Sequence, residues 1–347
     1  MRLFYRPEQL PHVIAMSSGT EFNNDAVDLR RPLDKQTLTR LTTMHDSYAW
    51  LGVFSAVGTV VTAVTVALVW WSWPVVLAAM FVIATRQQAF FVLAHDAAHY
   101  RLFASRGLND WVGGLLASTV GISMRSYRVI HRLHHNDLYG QSDPDIPLSA
   151  GYPRGRMYLL KRLGRDLLGA TAPKAYSYFF GAPALNTAAN VNRRPEDDTA
   201  PQLREAAQTD RRFVIGVQLT MLAAAVLSGY WLEYLLLWVL PAVTLLQAML
   251  RLRAIMEHGA VRDTSTPLFA ARTNLGPRWL LWWFFPHHVN YHIEHHLYPA
   301  IPHYNLPHAH RALKQIGVLE GAEVSTLPQT LKRIFAPRAA VPVTSAA

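Results

Sequence analysis

Three clusters of histidine stand out because their spacing would gather imidazoles on single helix faces. Two clusters repeat the spacing i, i+3, i+4, and the third has two histidines four positions apart. The clusters are His95 and His99, then His131, His134 and His135, and finally His292, His295 and His296. Side chains three and four positions apart share one helix face, close enough to ligate a common metal site. Eight of the 16 histidines fall into these clusters, and this grouping predicts metal binding.

The number of clustered histidines indicates more than one metal ion. Imidazole binds zinc, copper, nickel and iron, but a structural zinc takes about four ligands and a catalytic zinc about three plus water. Eight histidines exceed that requirement and fit two metals with four or five nitrogens each. The chain has no cysteine, which excludes thiolate ligands, disulfides and cysteine nucleophiles. A histidine-rich pair of metals at a membrane face suits redox iron that acts on a lipid-like substrate.

Carboxylates close to the clusters are candidates to orient the histidines, since metal-bound imidazoles need a hydrogen-bond acceptor for their second nitrogen. The predicted supporting residues are Asp96, Asp137, Asp143, Asp145 and Glu294. No catalytic residue is predicted beyond the metal centre itself.

Two long apolar blocks predict that the chain crosses a membrane. Hydrophobic residues make up 51% of the sequence. Residues 51–85 contain no charged residue and residues 213–250 contain only Glu233, so each block is long enough for two spans of about 20 residues. The alternative is that the two blocks are buried hairpins of a soluble helical protein. This alternative is disfavoured, because the core segments of soluble proteins rarely contain so many consecutive residues without a charge. We therefore predict an all-α integral membrane protein with four transmembrane helices in two hairpins, at about 50–71, 73–94, 213–230 and 233–251.

Charge placement predicts the orientation and the domain organisation. Neither hairpin turn contains Lys or Arg, whereas the segments on the other side do, so the positive-inside rule places both termini and all three clusters in the cytoplasm of an inner or plasma membrane protein. We predict a cytoplasmic arm at 1–49, a membrane domain at 50–335 whose cytoplasmic helical cap holds a di-metal site, and a disordered tail at 336–347. No signal peptide is visible at the N-terminus. The chain has a net charge of +10, and its basic residues flank the membrane blocks and form no nucleic-acid motif. This placement favours a basic surface that faces the membrane and partners over nucleic-acid binding.

The clusters and their surroundings resemble the three histidine boxes of the membrane fatty acid desaturase superfamily. The matching motifs are His95-x-x-x-His99, His131-x-x-His134-His135 and His292-x-x-His295-His296, and the similarity covers roughly residues 50–320. This resemblance implies a non-haem di-iron centre of two Fe ions that activates O2 as co-substrate and takes hydrogen from an unactivated C–H bond. It also implies that two electrons arrive from outside, through a ferredoxin or a cytochrome with its reductase.

Two departures from related groups narrow the expected reaction. Front-end desaturases typically begin the third box with Gln and carry a fused cytochrome b5, but this chain has His292 there and no His-Pro-Gly-Gly motif. No Gly-rich nucleotide fingerprint appears either, so a fused reductase is not expected. We therefore expect an O2-dependent di-iron desaturase outside the front-end group, which introduces a double bond into an acyl-lipid or acyl-carrier-linked chain. The alternative is a di-iron hydroxylase or a carotenoid ketolase or hydroxylase, because these enzymes share the boxes.

A non-redox zinc hydrolase of the membrane or a metal transporter is a more remote alternative. A transporter would place ionisable residues near the bilayer midplane. Here the predicted spans are almost uncharged and the histidines lie at their cytoplasmic ends, which argues against transport.

His258 is predicted as a ninth ligand outside the three boxes. It lies just after the fourth predicted span, at the cytoplasmic end of a membrane helix that the hairpin brings beside His95 and His99. The family supplies a further histidine from this region, so the resemblance assigns His258 to the site, with Glu257 as a supporting residue. The family also uses an Asn one helical turn earlier, through a water, but this chain has Ala254.

The remaining histidines are weaker candidates. His288 lies one helical turn before His292 and is an additional candidate ligand, although a packing role is favoured. The others are isolated or near turns, and most are expected to be surface or packing residues. They are His12, His45, His303, His308 and His310.

Overall fold

The computed structural model describes residues 32–140, 143–180, 184–186, 191–193 and 201–337, which are mostly helical. The first helices are α1 (Lys35–Thr42), α2 (Asp46–Val69), α3 (Trp73–Ala98), α4 (Arg106–Thr119), α5 (Met124–Asn136), α6 (Ile146–Ser149), α7 (Arg156–Leu167) and α8 (Ala172–Phe179). The later helices are α9 (Pro201–Leu227), α10 (Trp231–Tyr234), α11 (Leu240–Val243), α12 (Leu245–His258), α13 (Pro267–Ala270), α14 (Arg278–Phe284), α15 (His292–Leu297), α16 (Leu306–Gln315) and α17 (Leu327–Ile334). Strand β1 (Ala184–Asn186) pairs antiparallel with β2 (Val191–Arg193), and β3 (Thr273–Leu275) pairs parallel with β4 (Val324–Thr326).

Three helical stretches within the described residues are long and apolar enough to cross a membrane. They are α2, α3 and the stretch Trp231–His258, with 24, 26 and 28 residues. The third of these runs through α10, a π-helix, α11 and α12. These stretches correspond to the predicted spans at 50–71, 73–94 and 233–251. Along α2, large apolar side chains such as Leu51 and Phe54 are 65% exposed, which suits contact with lipid.

The predicted span at 213–230 is not among these candidates. It falls in α9, whose apolar part begins only after Asp210, Arg211 and Arg212 and ends at Leu227. Within α9 that part is shorter than the roughly 20 apolar residues of a typical span, so this span stays a prediction. The buried carboxylate of Asp210 accepts hydrogen bonds from the Ser123 hydroxyl at 2.7 Å and from the Arg125 amide at 3.0 Å. Asp210 therefore fixes the start of α5, the helix that carries the second histidine cluster.

Helix α3 lies at the centre of the fold. Its apolar window is 72% buried, against 22% for α2 and 28% for the stretch Trp231–His258. Helix α4 crosses α3 closely at Gly113, where an added Cβ would lie 2.2 Å from the Cβ of Ala97. Asn109 of α4 donates to the Ala97 carbonyl at 3.0 Å and accepts from the Leu102 amide at 3.1 Å. These contacts fix the end of α3, where the first histidine cluster lies.

The stretch Trp231–His258 is irregular in its middle. A π-helix at Leu235–Val239 is followed by Pro241, which has no N–H to donate, and by a break at Thr244 with φ −122° and ψ −86°. The side-chain amide of Gln247 donates to the Ala242 carbonyl at 2.8 Å, a backbone acceptor close to the break. Helix α12 therefore begins anew at Leu245 and ends at His258.

Residues 259–337 form a cap over the ends of these helices. Their apolar side chains, including Ile293 and Leu313, share one core with Leu41 of α1. The Leu41 carbonyl accepts from the Asn305 side chain at 2.8 Å, so the described part of the predicted arm at 1–49 packs on the cap. The rest of that arm and nearly all of the predicted tail at 336–347 lie outside the described residues.

Candidate metal centre

Nine histidines converge in two adjacent groups. The first group is His95, His99, His131, His135 and His295, and the second group is His134, His258, His292 and His296. Within each group the candidate ligand atoms all lie within 4.8 Å of one another. The rings of His135 and His296 stack between the groups, with centroids 4.2 Å apart. The structure thus brings together all eight box histidines and His258.

The nitrogen spacing suits ligands of shared ions. In the first group, Nε2 of His135 lies 3.0 Å from Nε2 of His131 and 3.0 Å from Nε2 of His295. In the second group, Nε2 of His258 lies 2.7 Å from Nε2 of His292 and 3.2 Å from Nε2 of His134. A metal–nitrogen bond of about 2.1 Å places neighbouring ligand nitrogens roughly 3 Å apart.

Buried ring nitrogens without hydrogen-bond partners also fit bound cations. Among the described residues, Nε2 of His95 and Nε2 of His99 are buried without a partner, whereas buried polar atoms are normally bonded. Burial lowers the pKa of His99, His131 and His295 well below the usual value. These imidazoles are therefore neutral near pH 7, with lone pairs available for metal ions.

Each i, i+3, i+4 triplet is divided between the two groups. In α5 the i and i+4 histidines belong to the first group and His134 to the second, and in α15 the division is reversed, with His295 in the first group. Around a helix, position i+4 lies about 40° to one side of position i and position i+3 about 60° to the other side. The expectation of a common site for each triplet is corrected, because each triplet contributes to both groups.

A pair of aspartates orients His134. Its Nδ1 donates to Oδ1 of Asp143 at 2.9 Å and lies 3.8 Å from Oδ2 of Asp145. Burial alone would lower the pKa of His134, but the Asp143 carboxylate outweighs it and raises that pKa to about 9. The Tyr178 hydroxyl donates to Oδ1 of Asp145 at 2.6 Å. Asp137 is the C-cap residue of α5, and its supporting role at a metal remains a prediction.

His258 reaches the second group from the last position of α12. Its Nδ1 donates to the Ala270 carbonyl at 3.0 Å, which directs Nε2 toward the other imidazoles. The Tyr139 hydroxyl donates to the backbone carbonyl of His258. The neighbouring residue Glu257 is buried, and its Oε2 lies 3.9 Å from Nε2 of His292.

His303 and His310 have contacts that their isolated sequence positions do not predict. Nδ1 of His303 and its backbone amide donate to Oδ2 of Asp96 at 2.7 and 3.0 Å. Nδ1 of His310 donates to Oε1 of Glu294 at 2.5 Å, and the Thr273 hydroxyl donates to Oε2 at 2.6 Å. The expectation of surface or packing roles is corrected, because both histidines bind predicted supporting carboxylates. No local signal reveals the first pair, whose members are 207 positions apart.

His288 lies outside both groups, so this candidate ligand is withdrawn. The prediction assumed a helix that continues back from His292. The chain instead forms a 3₁₀ turn at Pro286–His288, and His287 and His288 have φ values of 54° and 58°. These left-handed residues break the helical periodicity. The His288 ring instead lies near Tyr291, with centroids 6.3 Å apart.

Comparisons with known proteins identify the family of this chain. The model of the family described as Fatty acid desaturase matches residues 70–327. The chain is 25% identical over 266 residues to the dihydrorhizobitoxine desaturase of Bradyrhizobium elkanii, covering 73% of this chain and 70% of the relative. It is 26% identical over 313 residues to an endoplasmic reticulum acyl-lipid omega-3 desaturase (cytochrome b5) of Arabidopsis thaliana, covering 83% and 75%. An sn-1 acyl-lipid omega-3 desaturase (ferredoxin) of Nostoc sp. (strain 36) is 22% identical over 246 residues, covering 66% and 64%.

The family match extends from the end of α2 to the start of α17. It spans more than half of the chain and includes every histidine of both groups. The matched range therefore contains α5, α15 and the ends of α3 and α12, which carry the two groups. On this evidence the chain belongs to the fatty acid desaturase family of membrane oxidoreductases.

Proposed function

We propose that this protein is an O2-dependent di-iron desaturase that introduces a double bond into the acyl chain of a lipid or a carrier-linked substrate. The observation that carries the proposal is the pair of adjacent histidine groups, with five and four candidate ligand nitrogens. Nine imidazoles exceed the needs of one zinc ion and suit two irons. The relatives from Arabidopsis thaliana and Nostoc are named as acyl-lipid desaturases, which favours desaturation of an acyl chain here.

The proposed reaction requires electrons from a partner. Two non-haem irons held by the histidines would supply O2 activation and hydrogen removal from an unactivated methylene pair. Converting –CH2–CH2– to –CH=CH– while O2 is reduced to two waters consumes two further electrons and two protons. We infer an external donor, a ferredoxin or a cytochrome with its reductase, and the two relatives' names mention cytochrome b5 and ferredoxin.

The protein's own side chains would hold and orient the ligand histidines and exclude water from them. Asp143 and the Ala270 carbonyl each accept an Nδ1 proton, so that Nε2 of His134 and of His258 faces the centre. Such supporting contacts typically change metal affinity about 10- to 100-fold. The burial of both groups keeps the centre away from bulk solvent.

We further propose the four-span topology, with two hairpins and a cytoplasmic metal centre in an inner or plasma membrane. Exposed aromatic residues support it, because such residues favour the membrane–water interface. They occur at both predicted turns and include Trp70, Trp71, Trp73, Tyr230 and Trp231. In this arrangement α9 supplies the third span, the domain at 50–335 holds the centre, and the arm at 1–49 and the tail at 336–347 lie in the cytoplasm.

Reporter tags test this topology. Tags at Ser72 and Gly229 are expected to report exposure outside the cytoplasm, and tags at either terminus are expected to report the cytoplasm. A cytoplasmic signal from Ser72 would contradict the arrangement and the shared metal face with it.

Product analysis tests the function. Membranes from cells that express the protein are compared by mass spectrometry with membranes that contain the His292→Ala variant. We expect acyl chains that have lost two hydrogens only with the unaltered protein. A gain of oxygen would indicate a hydroxylase or ketolase instead. Activity in a protein that contains zinc as its sole metal would indicate the non-redox alternative.

A further inference from the structure

The two histidine groups are unequal. The first group offers five imidazoles and the second offers four, although both are buried to a similar degree. A cation in the second group would have one fewer protein ligand than its neighbour. The surroundings of the second group therefore merit a search for a further donor.

A buried carboxylate lies beside the second group. Glu257 is only 3% exposed, and its Oε2 lies 3.9 Å from Nε2 of His292. Its Oε1 lies 3.3 Å from Nε of Arg253. Within the described part of the chain, that oxygen nonetheless has no partner with hydrogen-bond geometry, and Nε of Arg253 has none either. A buried carboxylate paired with one guanidinium in imperfect geometry is costly, and a second cation would offset part of that cost.

The other nearby carboxylates are already engaged. Asp143 and Asp145 face Nδ1 of His134, on the side of the ring away from the group. Glu294 accepts from Thr273 and from His310 with its two oxygens. Glu257 is thus the carboxylate whose oxygens are left to face the second group.

We infer that Glu257 supplies a carboxylate oxygen to the cation held by His134, His258, His292 and His296. This inference rests on the proposed di-iron function. Carboxylate oxygen and imidazole together are an ordinary ligand set for non-haem iron. Neighbouring ligand atoms on one metal lie roughly 3 Å apart, and Oε2 lies 3.9 Å from Nε2 of His292, so a bound cation has to draw it toward the group.

The negative charge supports the same assignment. Imidazoles are neutral when they bind a metal, so a carboxylate oxygen bound directly to the cation would offset part of its charge in a buried site. The charge of Arg253, whose Nε lies 3.3 Å from the second oxygen of Glu257, would limit rotation of the carboxylate. Arg253 is a positioning residue in this scheme, because it acts on the metal only through Glu257.

Spectroscopy on matched variants tests the inference. Purified wild-type, Glu257→Gln and Glu257→Asp proteins are loaded anaerobically with Mössbauer-active ferrous iron, and iron binding and spectra are recorded. Glu233→Gln serves as the control, because Glu233 lies in the same helical stretch at its other end. We expect Glu257→Gln to change the spectrum of one iron only and to lower that iron's affinity by at least about 10-fold. Glu257→Asp keeps the charge on a shorter side chain and should change the same signal with a smaller loss of affinity.

The outcomes separate this inference from the function on which it rests. Unchanged spectra for both irons in Glu257→Gln overturn the inference, even when its melting temperature falls, because that pattern describes a structural ion pair only. If Glu257→Gln is not recovered folded, unchanged spectra in Glu257→Asp decide the matter in the same way. A wild-type protein that binds no iron refutes the proposed function before any variant is compared.

Discussion

Arg272 joins the end of α12 to the cap, and its replacement should loosen His258. The wholly buried guanidinium donates to the backbone carbonyls on either side of that histidine, at 3.1 Å to Met256, 2.9 Å to Gly259 and 2.9 Å to Ala260. It also donates twice to Oε2 of Glu323, at 3.2 Å each. These bonds satisfy carbonyls that the helix end would otherwise leave open.

The structure indicates the size of the loss in Arg272→Gln. Breaking a buried ion pair by removing one partner costs about 3–5 kcal/mol, and each hydrogen bond from a charged donor contributes about 1.5–3 kcal/mol. These values are not additive, and Arg333 remains beside Glu323 to offset part of the uncompensated charge. We expect the free energy of unfolding to fall by about 3–5 kcal/mol. Arg272→Lys keeps the charge but lacks the planar guanidinium, so its free energy of unfolding should lie between those of the wild type and Arg272→Gln.

Thermal unfolding in detergent, combined with iron retention during dialysis, measures this effect. The matched control is Arg262→Gln, because Arg262 pairs with the same Glu323 carboxylate but is 68% exposed. An exposed pair contributes about 1 kcal/mol or less, so this control should melt and hold iron nearly as the wild type does. If Arg272→Gln matches the control in both measurements, the guanidinium does not position His258.

Further changes test other parts of the site and the fold. His258→Ala should keep expression and membrane insertion yet lose iron and nearly all turnover, and near-normal values would remove His258 from the centre. His310→Ala should weaken iron binding by less than about 10-fold, because His310 holds the Glu294 carboxylate of α15, the helix that carries His292 and His295. His308→Ala, a change at an exposed residue, should bind iron as the wild type does. Gly113→Ala should destabilise the protein by about 1–3 kcal/mol through overpacking, because its Cβ would lie 2.2 Å from an α3 side chain. Gly114→Ala, which meets nothing within 4 Å, is the melting-temperature control.

Local spacing was enough to predict that the histidines gather. The i, i+3, i+4 pattern is a property of one helix, so the shared face of His131, His134 and His135 follows from sequence alone. Their division between two groups does not follow, because it depends on how α12 and α15 approach α5. The length of the apolar blocks likewise predicts helices, but it does not predict the break at Thr244, three residues after Pro241.

Long-range contacts and one local change of backbone conformation explain where the structure departs from the sequence-based expectations. The pairing of His303 with Asp96 joins residues 207 positions apart, and no spacing rule reaches that far. The less favoured ligand role for His288 assumes a helix that continues back from His292, and two consecutive left-handed residues prevent this. The span at 213–230 stays a prediction; the helix α9 that contains it begins earlier, where its Asp210 caps α5.

Metal exchange on the purified protein decides whether the two histidine groups hold iron that carries out desaturation. The wild-type protein is stripped with a chelator, reloaded with ferrous iron or with zinc, and supplied with O2, an acyl-lipid and a reductase system. We expect one iron in each histidine group, and a product with two fewer hydrogens that forms only in the iron-loaded sample. Equal activity of the zinc-loaded sample, or turnover without any bound iron, would contradict a di-iron desaturase.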